Sequence, residues 1–502
     1  MNILYIPLDE RPCNLIFPQM IAATNDEIKL IVPPSQFLGY KKQKADIEGL
    51  WHFVKQHIEK SDAAILSVDM LIYGGLLPSR IHHDDEELLS ERLQKLVNLK
   101  NSRVPIYLFN LIMRTPSYNS SDEEPDYYEK FGAAIFKRAY LSDKKDRIGL
   151  SDEESKEQGS IKIPQEYVDD YEKRRKLNLD VNLKILDLVK SGKVDFLSIP
   201  QDDSSPYGYT AMDQRLVYGR IRELRLQNKV YVYPGADEAG STLLARAYND
   251  FIKKTPLIYV SYASTLGPEI IPLYEDRVFG ESLKSHILAA GGLMTESINE
   301  ADLCLFVNSP GKVMQQARDQ FENRDVTYSS HRNLVHFCCE MEYAFSKGKK
   351  VAVADIAFAN GGDLELISLM DDMALLDKLY GYAGWNTACN TLGTTLSSGI
   401  ISQNKNSAVT YNLIYHIIDD ALYQARIRSY ACDNILSKYN ADYFSTNGRE
   451  KEICSELSTL LSEGFKELII NSFKDASICL TTYSPWKRMF EIGLNLEINL
   501  QV

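Results

Sequence analysis

Basic charge, histidine clusters and long apolar runs are what this 502-residue chain lacks. Its 56 lysines and arginines are outnumbered by 69 aspartates and glutamates, a net charge of −13. A general nucleic-acid binder needs a basic face to displace counterions. Docking on anionic lipid needs one too, so neither partner is expected. The eight histidines form no HxH or HExxH pattern, which argues against a histidine-rich zinc site. The eight cysteines show no CxxC spacing, and Cys338 and Cys339 are adjacent. They read as reduced core thiols rather than a disulfide framework. There is no phosphate-binding loop, so Gly74-Gly75 and Gly361-Gly362 read as tight turns or close backbone approaches. No motif implies a cofactor or a resident metal. No apolar stretch reaches the ~20 residues that span a bilayer. The opening Met1-Asn2-Ile3-Leu4-Tyr5-Ile6-Pro7 has no basic stretch ahead of an apolar run, so a cytoplasmic chain without a signal peptide is expected.

What the chain does have is a series of short apolar, β-branched runs. They are Ile3–Pro7, Ala63–Val68, Pro105–Asn110, Val194–Pro200, Val230–Pro234, Leu257–Tyr262, Leu303–Asn308 and Val351–Asp355. Runs that are apolar on both faces predict strands of a parallel sheet. Segments with helical spacing lie between them, at Ala45–Lys60, Glu86–Leu99, Asp213–Gln227, Ser241–Lys254 and Asn333–Lys347. Lys29–Pro33 and Tyr380–Trp385 are possible extra strands. The fold class is therefore α/β. Eight strand–helix units suggest a (β/α)8 TIM-like barrel, and two doubly wound sheets are the alternative that a strand count leaves open. The barrel is expected over 1–405, with a long charged insertion at 115–193 after the third strand. Tyr127–Tyr140 and Gln165–Lys190 are helical within that insertion. From about 406 the pattern turns helical, giving a mostly helical C-terminal region over 406–502. No internal repeat is visible in the sequence.

In either architecture ligands bind beyond the carboxyl ends of the strands. Acidic and polar residues recur there: Asp9 and Arg11, Asp69, Arg114, Asp202 and Asp203, Asp237 and Glu238, Asn308, Asp355, and Trp385 with Asn386. Asp or Gly at one strand end is an ordinary turn or helix cap. Like charges gathered in one pocket are different, because they raise free energy unless a ligand, metal or proton offsets them. Asp202-Asp203 is the sharpest element. Two neighbouring carboxylates cannot ionise independently, so one can serve as general acid while the other stays charged, as glycoside hydrolysis requires. Trp385 beside Asn386 suits stacking on a sugar ring with an amide hydrogen bond.

The segments Ile6–Asn14, Pro234–Glu238, Tyr274–Arg277 and Gly384–Thr387 resemble a bacterial family known only as domain-of-unknown-function 4127, over nearly the whole chain. That likeness implies no activity. From the fourth strand onward the order of elements is also similar to the O-GlcNAcase-like β-N-acetylglucosaminidases, which are (β/α)8 barrels. Asp202-Asp203 matches an Asp-Asp pair of that family, Asn308-Ser309-Pro310 an Asn-x-Pro strand end, and Trp385-Asn386 a Trp-Asn pair. This second likeness implies that Asp202 orients a substrate acetamido group, that Asp203 is the general acid/base, and that Asn308 binds the sugar.

The function expected is glycosidic-bond cleavage by Asp202 and Asp203, with a small-molecule or oligosaccharide substrate, N-acetylated sugars among the candidates. The other residues named at the strand ends bind that substrate. The alternative is a Mg²⁺- or Mn²⁺-dependent hydrolase, lyase or isomerase using oxygen ligands from Asp9, Asp69, Asp237, Glu238 and Asp355.

Overall fold

All ten runs named above are strands in the computed structural model, which describes residues 1–99, 104–474 and 476–500. They are β1 (Asn2–Ile6), β2 (Lys29–Ile31), β3 (Ala63–Ser67), β4 (Ile106–Phe109), β5 (Phe196–Gln201) and β6 (Val230–Pro234), then β7 (Leu257–Tyr262). Next come β8 (Leu293–Thr295), β9 (Leu303–Asn308), β10 (Gln315–Gln316), β11 (Lys350–Asp355), β12 (Phe358–Ala359) and β13 (Gly381–Ala383). The barrel expectation needs correction. The described strands form two open parallel sheets, in the orders β2-β1-β3-β4-β5-β6 and β13-β11-β9-β7-β8, while β10 pairs with β12. The break falls after β6, because β7 hydrogen-bonds β8 and β9 and β6 ends its sheet. Both architectures bury each strand on two faces and join strands by helices, so apolar runs alone do not separate them. Counted within each sheet, the strand orders are 2-1-3-4-5-6 and 2-1-3-4-5, both doubly wound, reversing between β1 and β3 in one and between β7 and β9 in the other. Such reversals are where α/β folds open a ligand crevice.

The chain divides into two compact units. The first comprises Met1–Glu10, Lys29–Leu243 and Tyr274–Asp276; the second comprises Arg11–Ile28, Leu244–Leu273 and Arg277–Val502. The first unit holds the six-stranded sheet. Its insertion folds as helices Tyr128–Ile148, Asp152–Ser160 and Gln165–Lys190. Ser151 starts the middle helix with a reciprocal capping box to Glu154, which explains a helix where no apolar period was visible.

The second unit holds the five-stranded sheet under a core that includes Phe306, Val353 and Leu413. Helix Pro12–Ala23 belongs to it. Just beyond that helix, Asn25 Nδ2 donates to the Ile401 carbonyl (3.3 Å), Ser402 Oγ to Thr24 Oγ1 (3.0 Å) and Asn406 Nδ2 to the Thr24 carbonyl (3.0 Å). Residues after 406 are part of this unit too. Helix Ser407–His416 runs into wide π-helical turns over Ile417–Ile427, and Glu450–Leu468 is a further long helix. An antiparallel hairpin follows, β14 (Ala476–Tyr483) with β15 (Gly493–Leu500). It was not expected, because a strand with one wet face alternates polar and apolar residues instead of forming an apolar run. Residues 475, 501 and 502 of the region expected to be helical lie outside the described residues. No described helix is long and apolar enough to cross a membrane.

Candidate functional site

In the first unit the carboxyl ends of β3, β4 and β5 carry a buried charge ladder. Ser67 caps helix Val68–Tyr73 through Met70 N (3.1 Å), which sets Asp69 in the first turn. Asp69 accepts from Leu111 N (3.0 Å) and Asn110 Nδ2 (3.3 Å) just past β4. Burial pushes its carboxyl up to about 6 against those hydrogen bonds. Arg80, from helix Leu76–Ile81, donates to Glu123 (2.8 Å), Glu124 (3.4 Å) and Asp202. Arg114 donates to Glu123 (2.7 Å), Glu124 (2.8 Å) and Asp203 (3.1 Å). Two arginines thus bridge the Glu123-Glu124 pair of the insertion to the Asp202-Asp203 pair that follows β5. The insertion also fixes the backbone: Tyr171 and Arg175 of helix Gln165–Lys190 both donate to the Arg114 carbonyl (2.9 and 3.2 Å).

Four carboxylates for two guanidiniums leave the ladder acid-rich. Glu124 is 1% exposed and one of its oxygens has no protein partner; burial raises its pKa. Asp203 keeps 24% of its side-chain surface. Its carboxyl is nonetheless raised to about 6, first by desolvation and then by Asp202, against the pull of Arg114 and Arg80. Its backbone is left-handed, with φ 35°. A non-glycine residue there is strained, and such strain gathers at functional sites. Tyr118, 46% exposed, feels the charges of Arg114 and Asp203. Asp9, Asp237 and Glu238 are also in the first unit, all buried. Glu238 accepts from Thr242 one helical turn on.

The other expected residues belong to the second unit. β9 and β11 are in register with Asn308 opposite Asp355, so the two side chains meet: Asn308 Nδ2 donates to Asp355 Oδ1 (2.7 Å). The same amide reaches Asp363 Oδ2 (3.3 Å), which accepts from Arg332 Nη2 (2.7 Å). Asp355 Oδ2 accepts from Asp363 N (2.7 Å) and Tyr382 Oη (3.0 Å). Burial, then Asp363, lifts the Asp355 carboxyl to about 7. Gly362 makes the close approach possible, since a Cβ there would lie 2.3 Å from Tyr382 Oη and 3.1 Å from Asp355 Oδ2. The web continues through Asp420, whose Oδ2 accepts from Gly384 N (2.8 Å) and lies 3.0 Å from His416 Nδ1. Trp385 is buried against Phe490 (ring centroids 5.7 Å), and Asn386 takes a left-handed turn at φ 69°. Arg11 lies over the Trp486 ring (4.6 Å) and pairs with Glu491 (3.8 Å).

Of the residues expected at one rim, Asp9, Asp69, Arg114, Asp202, Asp203, Asp237 and Glu238 are thus in the first unit. Arg11, Asn308, Asp355, Trp385 and Asn386 are in the second. Direct contacts join Arg114 to Asp203 and Asn308 to Asp355. Among the described residues no three His, Cys, Asp or Glu side chains are grouped to hold a metal ion. Sequence reasoning missed Arg80, Glu123, Glu124, Arg332, His416 and Asp420, and its candidate residues did not include Asp363 and Tyr382. The acidic run Ser120–Asp126 was one available signal, and its Glu123-Glu124 pair turns inward. No curated protein matches the sequence. Residues 3–495 match one family, described as Protein of unknown function (DUF4127), and the chain belongs to it.

Proposed function

We propose that the chain is a hydrolase of the glycosidase type, in which the two carboxylates that follow β5 act on a glycosidic bond of a small or oligomeric sugar. The observation that carries this reading is Asp203: a half-titrated carboxyl near pH 6, beside a second carboxylate, on strained backbone at a strand's carboxyl end. In its protonated form Asp203 donates to the departing oxygen. Asp202, ion-paired to Arg80, stabilises positive charge developing on the ring or attacks the anomeric carbon. Arg114 orients Asp203 through its 3.1 Å contact. Tyr118 offers an accessible ring beside the pair. A closed barrel is not needed, because the carboxyl ends of an open sheet present the same groups. A cytoplasmic location is part of the proposal. It is supported by Cys304 and Cys338, core thiols raised by burial to about 11 and 12, which act as apolar side chains.

The test is a panel of aryl glycosides that includes N-acetylated sugars. Wild-type protein is expected to cleave at least one, with kcat/KM falling as pH rises through about 6. Asp203→Asn is expected to lower the rate by roughly 10²–10⁴ with its circular dichroism unchanged. A panel left untouched by wild-type protein overturns the proposal.

A further inference from the structure

In the first unit, the short loop 204–208 leads from the Asp202-Asp203 pair to helix Tyr209–Leu224. That helix lacks a local cap, because its N-cap is Gly208. The cap comes from 65 positions away. Asp143, 1% exposed on insertion helix Tyr128–Ile148, accepts from Gly208 N (3.0 Å) and from Arg215 Nη1 and Nη2 (3.2 and 2.6 Å). A carboxylate at a helix start satisfies an orphan N–H and meets the positive end of the dipole. Arg147, one turn beyond Asp143, donates to the Pro206 carbonyl (2.7 Å) and lies over the Tyr207 ring (4.7 Å). Tyr140 meets that ring edge-on (5.3 Å). A serine or asparagine at 208 would cap the helix locally. A cap borrowed from the insertion instead ties the loop to the insertion helix. At the other end of the loop, Asp203 pairs with Arg114 (3.1 Å) and Ser204 N donates to the Tyr274 carbonyl (2.9 Å).

We propose that Asp143 and Arg147 are positioning residues for Asp203: by pinning the far end of the loop to the insertion, they hold Asp203 in its left-handed, part-buried conformation. This rests on the reading of Asp203 as the working acid, and it gives the insertion a second role in that site beside the Glu123-Glu124 pair. A left-handed residue other than glycine persists only where its surroundings over-determine it. Arg114 and the Ser204–Tyr274 bond constrain one side of the loop, and the pins at 206–208 constrain the other. Without those pins the loop relaxes and Asp203 turns toward water. It then loses the desolvation that chiefly favours its protonated form. The charged and titratable groups that face Asp203 are Arg114, Arg80, Asp202, Glu123 and Tyr118, and neither substitution below touches them.

The test is a pH titration of the Asp203 carboxyl by carbon NMR in the full chain, with its signal assigned by its loss in Asp203→Asn. The variants are Asp143→Ala and Arg147→Met, which remove charges of opposite sign. A through-space effect lowers the Asp203 midpoint in the first and raises it in the second, whereas a released loop lowers it in both. A part in starting the helix and nothing more moves it in neither. Wild-type protein is expected to titrate at about 6, and each variant about one pH unit lower or more, a tenfold loss of proton affinity. Arg147 is 40% exposed, so its replacement is expected to fold. Should Asp143→Ala fold poorly, the direction of the Arg147→Met shift decides alone. A rise in Arg147→Met, or a fall under roughly 0.3 unit in either folded variant, overturns the proposal. A wild-type midpoint already in the ordinary carboxyl range overturns the reading of Asp203 as the working acid along with it, so the two failures are told apart.

Discussion

Replacing Arg80 by Met tests the charge ladder at its centre. The side chains are similar in length, and Arg80 is 2% exposed, so the substitution removes charge more than volume. Glu123, Glu124 and Asp202 lose their shared partner, and only Arg114 still faces the two glutamates. Leaving buried charge uncompensated costs about 3–5 kcal/mol. With a urea m-value of about 2–3 kcal/mol/M, that is a fall of roughly 1–2.5 M in the unfolding midpoint of the first unit. The loss depends on pH in a definite direction. Burial already raises the Glu124 pKa, and removing a cation raises it further. The folded variant then holds protons that the unfolded chain releases, so the deficit is full well above neutrality and shrinks as pH falls toward the unfolded carboxyl range. Urea unfolding of both proteins, followed by circular dichroism at pH 5 and pH 8, reads both effects. A midpoint change under about 0.3 M, equal at the two pH values, would show that the ladder is hydrated and refute the argument.

The remaining predictions concern the Asp355 web. Its carboxyl, raised to about 7, takes up a proton on folding between its ordinary range and that value, so this group's stabilising contribution is lost as pH rises through that window. Melting temperatures from pH 5 to pH 8 should fall more steeply for wild-type protein than for Asp355→Asn; parallel curves would rule the linkage out. Gly362→Ala should cost ~1–3 kcal/mol, because the new methyl meets Tyr382 Oη at 2.3 Å. In a Tyr382→Phe background that cost should drop by more than about 0.5 kcal/mol, and strict additivity in the double-mutant cycle would contradict the contact.

The strands were legible because burial on both faces demands unbroken apolar runs, and Leu303–Asn308 and Val351–Asp355 announce themselves for that reason. Which strands pair was not legible, since β6 as a sheet edge and β6 bonded to β7 call for the same residues. Asn308 and Asp355 were readable as strand ends, and their register makes them neighbours. Arg80 and Arg332 were not readable. Each lies on or beside a helix and reaches its carboxylates through tertiary folding, with Asp202 122 positions away from Arg80 and no local period to mark it. His416 and Asp420 are four apart, a spacing that also fits an ordinary helix surface, and only their burial, where helix Ser407–His416 meets the π-helical turns, distinguishes them.

The ties from Thr24 and Asn25 to residues 401–406 have a consequence for synthesis. The partners are separated by 376 to 382 positions. At ~5–20 residues per second, a ribosome makes that interval in about 20–75 s. For that time the nascent helix Pro12–Ala23, with Phe17, Met20 and Ile21 destined for burial, has no finished seat. A chaperone that shields its apolar side chains during elongation therefore has a defined client segment.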